Sequence, residues 1–236
     1  MENYNQQGYY QTPDVAFAAN VSKAMRSVYL KMFLALLVTA ATSFVVLDQQ
    51  SFLIYMLNNQ WVYWGLLIAE LVLVFSVSAR LNKISTTTAN LMFYAYSILN
   101  GIVLSVIFMI YTSGSIAQTF LITAGVFGAM SAYGYFTKSD LTKFGSFLMM
   151  ALIGLIVCVV VNMFLDSSTL DWIISFAGVA IFIGLTAWDT QKIKTMMAYS
   201  DGTNIGKIAT IGALSLYLDF INLFLYLLRF FGASRD

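Results

Sequence analysis

Three carboxylates stand where carboxylates are costly. Glu70, Asp189 and Asp219 lie within or at the edge of long apolar runs of the chain, and a charge near the centre of a bilayer costs about 3 kcal/mol on insertion scales. Acids in such places usually face the interior of a helix bundle and mark an ion pathway or a proton relay. Two of them brought together in a low-dielectric setting cannot both ionise cheaply, so they titrate as a unit. The chain has no histidine, which leaves a carboxylate pair as the device for sensing pH near neutrality. Carboxylates and backbone carbonyls are also the ligands calcium prefers, but calcium takes about six to eight oxygens. Three acids fall short of a tight cage. That favours transient calcium contact at Asp189, Asp219 and Glu70 over storage, with no resident metal and no cofactor. The plain alternatives stay open: a polar contact locking two helices for Glu70 and Asp219, and a helix-end acid for Asp189.

The missing histidine removes several enzyme classes as well. Haem ligation by histidine, a histidine zinc site and a Ser–His couple are all excluded. An intramembrane aspartyl protease would need a glycine pair around its second acid, whereas Asp219 sits in LYLDF. The chain therefore reads as a non-enzyme.

The elements that must position these acids are membrane helices. Of 236 residues, 60% are apolar and only 10% charged, against about 25% charged in a soluble domain. Mean hydropathy is +0.80. Apolar runs fall near 28–47, 61–79, 89–111, 116–136, 145–165, 172–190 and 208–228, each close to the ~20 residues a helix needs to cross a bilayer. Continuous runs of this kind mean helices rather than barrel strands. The reading is an all-α membrane protein of seven spans. Residues 1–27 form a polar tail, its first 22 residues expected to be disordered and to lack a signal-peptide core, and residues 28–232 form the membrane domain. Lys23, Arg26, Lys31, Arg80, Lys83, Lys138, Lys143, Lys192, Lys194 and Lys207 fall on one side, leaving Arg229 and Arg235 on the other. The positive-inside rule then places the N-terminus in the cytoplasm. A re-entrant last segment is the alternative to a full seventh crossing. The net charge of +1 points to no nucleic-acid partner.

Helical spacing groups the polar residues. Gly212, Ser215, Asp219, Asn222 and Tyr226 recur at intervals of three and four and share one face of the last span. That stripe should turn toward a partner helix or water, which makes Ser215 and Asn222 ion-pathway candidates beside Glu70. Asn90, Tyr94, Ser97, Gly101 and Ser105 form a weaker stripe in span three. Gly128 and Ala132 have small-residue spacing suited to close helix packing. Thr137 and Asp140 have capping-box spacing before the fifth span. Cys158, the single cysteine, reads as a packing residue.

Three stretches carry a family resemblance: YGYFTKSDLTKFG from Tyr133 to Gly145, GLTAWDTQKIK from Gly184 to Lys194, and LSLYLDFINLFLYLLRFFG from Leu214 to Gly232. AELVLVFSVSARLNKIS, from Ala69 to Ser85, matches more loosely. From about residue 20 onward the chain resembles the Bax inhibitor-1 (TMBIM) family of membrane proteins, and its bacterial branch in particular. The resemblance implies two three-helix layers around a central C-terminal helix. It also implies a calcium leak gated by pH through Asp189 and Asp219. An arginine on the second helix would latch the pair closed and an acid on that helix would line the path; Arg80 and Glu70 occupy those places. The expected function is a pH-sensitive calcium leak channel of the cytoplasmic membrane, with the lipid bilayer and calcium ions as partners. The alternative is a membrane subunit that modulates a quality-control protease or a stress or cell-death pathway without transport of its own.

Overall fold

The computed structural model describes residues 13–79, 84–200 and 204–235. In chain order the helices are α1 (Pro13–Asp48), α2 (Gln50–Asn58), α3 (Gln60–Ala79), α4 (Thr86–Leu104), α5 (Ile107–Ile110), α6 (Ser113–Phe136), α7 (Thr142–Leu165), α8 (Ser168–Ala198) and α9 (Ile205–Phe231). Hydroxyl side chains cap three of the starts. Ser85 accepts the Thr88 N–H, Thr112 that of Ser115, and Ser167 that of Leu170, satisfying donors the helix leaves open. Asp166 closes α7 in the left-handed region at φ 46°, a conformation Asp tolerates better than most residues.

Six helices are each long and apolar enough to cross a membrane, and the bent pair α2–α3, angled at 92°, brings the number to seven if the pair is counted as one span. Two expectations change. Residues 50–58 are a helix rather than a loop, because Leu53 and Met56, three apart, bury themselves with Val46 at the end of α1. The polar tail also yields early to helix: α1 begins at Pro13, a residue suited to a first helical turn.

The seven spans form two layers and a centre. One layer is α1, α3 and α4; the other is α6, α7 and α8; α9 packs on α1, α4, α6 and α8. The last helix is accordingly the most buried span, with Ala213, Leu216, Tyr217 and Leu223 fully enclosed. By contrast α7 turns Phe147, Met150, Ile153 and Val157 outward, as a lipid-facing helix must. Cys158 is exposed on that same helix, so it lines the lipid face rather than a core.

Hydrogen bonds fix where α9 ends. The Thr112 N–H donates to Ala233 O at 3.0 Å, the Arg235 N–H to Ile110 O at 2.8 Å, and Arg235 Nη1 to Phe108 O at 3.2 Å. The segment after α9 is thus strapped to the α5–α6 connection. Lys31 Nζ, at the other end of the bundle, donates to Thr210 Oγ1, Asn90 Oδ1 and Gly206 O, near the start of α9. The last segment therefore runs the full depth of the bundle, and the re-entrant alternative is set aside.

Candidate functional site

Helices α8 and α9 run antiparallel and build the site between them. At one end Arg229 Nη1 pairs with Asp171 Oδ1 at 2.8 Å. Further in, the Tyr226 ring lies over Gly178, where a Cβ would meet it at 2.7 Å, and stacks on Phe182 with centroids 5.9 Å apart. Toward the other end Gly212 sits against Ile193, where a Cβ would meet Cγ2 at 2.8 Å. Gly212 and Tyr226 bound the polar stripe of α9, so the stripe faces α8. The expectation of a partner-facing polar face is met.

Asp219 lies in the middle of this seam. It is 5% exposed, and its Oδ2 has no hydrogen-bond partner. Asp189, half-buried on α8, is within electrostatic reach of Asp219, and Lys192 acts on both. Lys192 follows Asp189 by three residues, a spacing that places both on one helical face, and its ammonium sits 4.6 Å from the Trp188 ring centroid. That lysine was legible in AWDTQK and was passed over in favour of Arg80. Arg80 itself lies outside the described residues.

The other predicted residues divide. Asn222 is half-buried on the Asp219 face, where its Nδ2 donates to Leu218 O of its own helix at 2.8 Å. Ser215 is half-buried on the same face. Glu70 stands apart. Its Oε1 accepts from Asn100 Nδ2 at 3.3 Å, Asn100 Oδ1 accepts from the Tyr217 hydroxyl at 3.1 Å, and the Tyr217 and Thr39 hydroxyls are 2.6 Å apart. This network ties α3, α4, α9 and α1 together. Tyr217 and Asp219 are two positions apart, which on a helix means about 200°, so Glu70 reaches the opposite face of α9 from the aspartates. Among the described residues, no three Asp, Glu, Cys or His side chains converge where a metal ion could be held. The three acids do not share one calcium contact.

Two packing expectations are corrected. Gly128 has open space where a Cβ would go and Ala132 is exposed, so that pair does not make the close contact in α6. Gly134 does, against the backbone of Ala187 on α8. The capping box before the fifth span is not formed either. Leu141 intervenes, so Asp140 Oδ1 instead accepts the Thr142 N–H at 2.9 Å while Thr137 Oγ1 accepts that of Ser139 at 3.2 Å. Gln191 of α8 holds the loop, accepting the Leu141 N–H and donating to Ser139 O.

Hydrogen bonds from Thr142, with a smaller contribution from Lys143, hold the Asp140 carboxyl below its ordinary 3.8. A depressed carboxyl stabilises the folded loop above its unfolded value, and that contribution fades as pH falls through the folded value. Asp140→Ala should therefore lower the yield of monodisperse protein slightly. Asp140→Asn, which keeps an accepting oxygen, should match the wild type on size exclusion. Normal yield in Asp140→Ala would show that the loop does not depend on this carboxyl.

Sequence comparisons give the family. The family model described as "Inhibitor of apoptosis-promoting Bax1" matches residues 21–236. The chain belongs to the Bax inhibitor-1 family. Its Bax inhibitor-1 relatives include the inner membrane protein YbhL of Escherichia coli K12, 46% identical over 220 residues that cover 92% of this chain and 94% of that one. A protein of Borreliella burgdorferi is 46% identical over 217 residues, covering 91% and 94%. A Rickettsia prowazekii protein is 43% identical over 222 residues, covering 93% of each. With its apolar spans, this Bax inhibitor-1 protein is a multi-pass membrane protein.

Proposed function

We propose that this protein is a pH-sensitive calcium leak of the cytoplasmic membrane, gated by Asp189 and Asp219, and that it is not an enzyme. The observation that carries the reading is Asp219: a carboxylate deep in the central helix, with one oxygen unpartnered and a second carboxylate in electrostatic reach. A merely structural acid in a bundle is expected to have its oxygens satisfied. A group that must pass between charged and protonated forms, and meet a cation on the way, keeps one free. Lys192 is a described cation near the pair and supports a latch there, while Arg80, first given that role, lies outside the described residues. Calcium flux into liposomes of purified protein, followed across pH, tests the reading. Absence of flux at every pH would leave the membrane-subunit alternative, in which the chain modulates a protease or a stress pathway.

The basic residues support an orientation for this leak. Lys31, Lys138, Lys143, Lys192, Lys194 and Lys207 gather at the end where α9 begins, while Arg229 and Arg235 lie at the end where it stops. By the positive-inside rule the lysine end is cytoplasmic. A periplasm-active reporter should be active when fused after Arg235 or inserted near residue 168, and silent in the loop 138–141. An active reporter in that loop, or a silent one at the C-terminus, would reverse the assignment.

A further inference from the structure

A row of hydroxyls that plays no part in the aspartate pair occupies the seam where α6 meets α8 and α9. On α6 the buried Ser115, Thr119 and Thr123 recur every four residues, and Ser131 follows two turns later; on α8, Ser175, Thr186 and Thr190 are buried. Contacts fix the register. Helices α6 and α8 run parallel, with Thr190 Oγ1 donating to Ser131 Oγ at 3.5 Å and Gly134 against Ala187, which places Thr119 at the height of Ser175. Helices α8 and α9 pair Gly178 with Tyr226 and Ile193 with Gly212, which places Asp219 at the height of Thr186. The row therefore leads from Asp219 past Thr123 and Thr119 to Ser175, which accepts from Arg229 Nη1 at 3.4 Å beside Asp171.

The chemistry of the row is one-sided. A hydroxyl carries one proton and two acceptor lone pairs. Thr123 spends its proton on Thr119 O at 2.8 Å, Thr186 on Phe182 O at 2.7 Å, and Ser175 on Asp171 O at 2.8 Å. What these three leave for the seam is oxygen lone pairs, suited to a water's hydrogens or a cation, while Thr119 Oγ1, without a partner, also keeps its proton. Among the described residues, the two fully buried side-chain oxygens without a partner are Thr119 Oγ1 and Asp219 Oδ2, and both belong to this seam. Leaving such a group dry costs about 1–3 kcal/mol, and ordered water is the usual remedy in a polar interior. The polar cluster on the opposite face of α9 (Thr39, Ser97, Asn100, Tyr217) satisfies itself.

We propose that the α6–α8–α9 seam holds a file of water and forms the limb of the cation route between Asp219 and the Asp171 end, with Thr119 and Thr123 as its lining. This rests on the leak reading and adds the route to it. Replacing Thr119 and Thr123 together by Val keeps the volume and removes both hydroxyls. Calcium flux into liposomes should fall roughly tenfold or more on loss of two oxygen contacts, while the pair Thr119→Ser with Thr123→Ser should conduct like the wild type. Wild-type flux in the Val pair would overturn the route. Wild-type protein without flux at any pH would instead remove the leak reading, and radical labelling by water radiolysis then decides the seam on its own. Phe127 and Phe182, both buried beside the row, should be labelled in the wild type and protected in the Val pair. Protection already present in the wild type means a dry seam and overturns the water file.

Discussion

Liposomes carrying Asp219→Asn should pass calcium at a rate that has lost most of its dependence on pH, with a displaced midpoint for what remains, although the flux itself persists. The reason is the proposed pairing of Asp219 with Asp189, which lie within electrostatic reach of each other across the α8–α9 seam. Two carboxylates in one low-dielectric setting share protons, and removal of either leaves the other with no like-charged neighbour. Asp189→Asn should have the same effect, each moving the midpoint by about one pH unit or more, the scale on which coupled groups titrate together. The double variant should add little to either single one, since residues in one network are not additive. Flux persists because hydroxyls and backbone carbonyls still line the seam. Wild-type midpoints in both single variants, or shifts that simply sum, would break the pair into a helix-end acid and a packing residue.

The second large effect is structural. Gly134→Val should abolish or sharply reduce monodisperse protein, because its Cβ would run into the Ala187 backbone carbonyl of α8. Backbone cannot rotate aside as a side chain can, so the cost lies at or beyond the upper end of the about 1–3 kcal/mol typical of overpacking. The damage reaches the site as well, because α6 would be pushed off the helix that carries Asp189. Gly128→Val, on the same helix but facing open space, should leave yield and thermal midpoint unchanged. Thermal unfolding of the two variants in detergent, followed by size exclusion, separates them; equal behaviour would deny the close α6–α8 approach.

Much of the fold was legible because a bilayer demands ~20 apolar residues per crossing, and every run of that length became helical, the third broken at 105–106 into α4 and α5. The nine-residue α2 (Gln50–Asn58) was missed because it is too short to register as a crossing. Face was harder to read than existence. Gly128 and Gly134 are equally small in the sequence, yet which one meets α8 depends on the rotation of α6, set by packing elsewhere. The same holds for the acids. Glu70 was correctly read as buried, but nothing in its own helix says that it reaches the far side of α9 through Asn100 and Tyr217. Asp219 was legible with its stripe, because one helix carried all the information. Thr119 and Thr123 were overlooked because threonine is unremarkable in an apolar run; only the four-residue spacing from Ser115 signals them.

The helix at the centre of the bundle follows, in the chain, every helix it packs against. When α1 to α8 are already in the bilayer, the space that α9 will fill must be held open or occupied by something else. Thr39 and Asn100 then lack Tyr217, and Asp189 faces no second acid. The earlier helices can join as two halves, α1 with α4 and α6 with α8, but the halves touch chiefly through a segment not yet synthesised. Assembly of the bundle therefore waits on α9, and a chain without it would lack the helix through which the α1–α4 and α6–α8 halves chiefly meet.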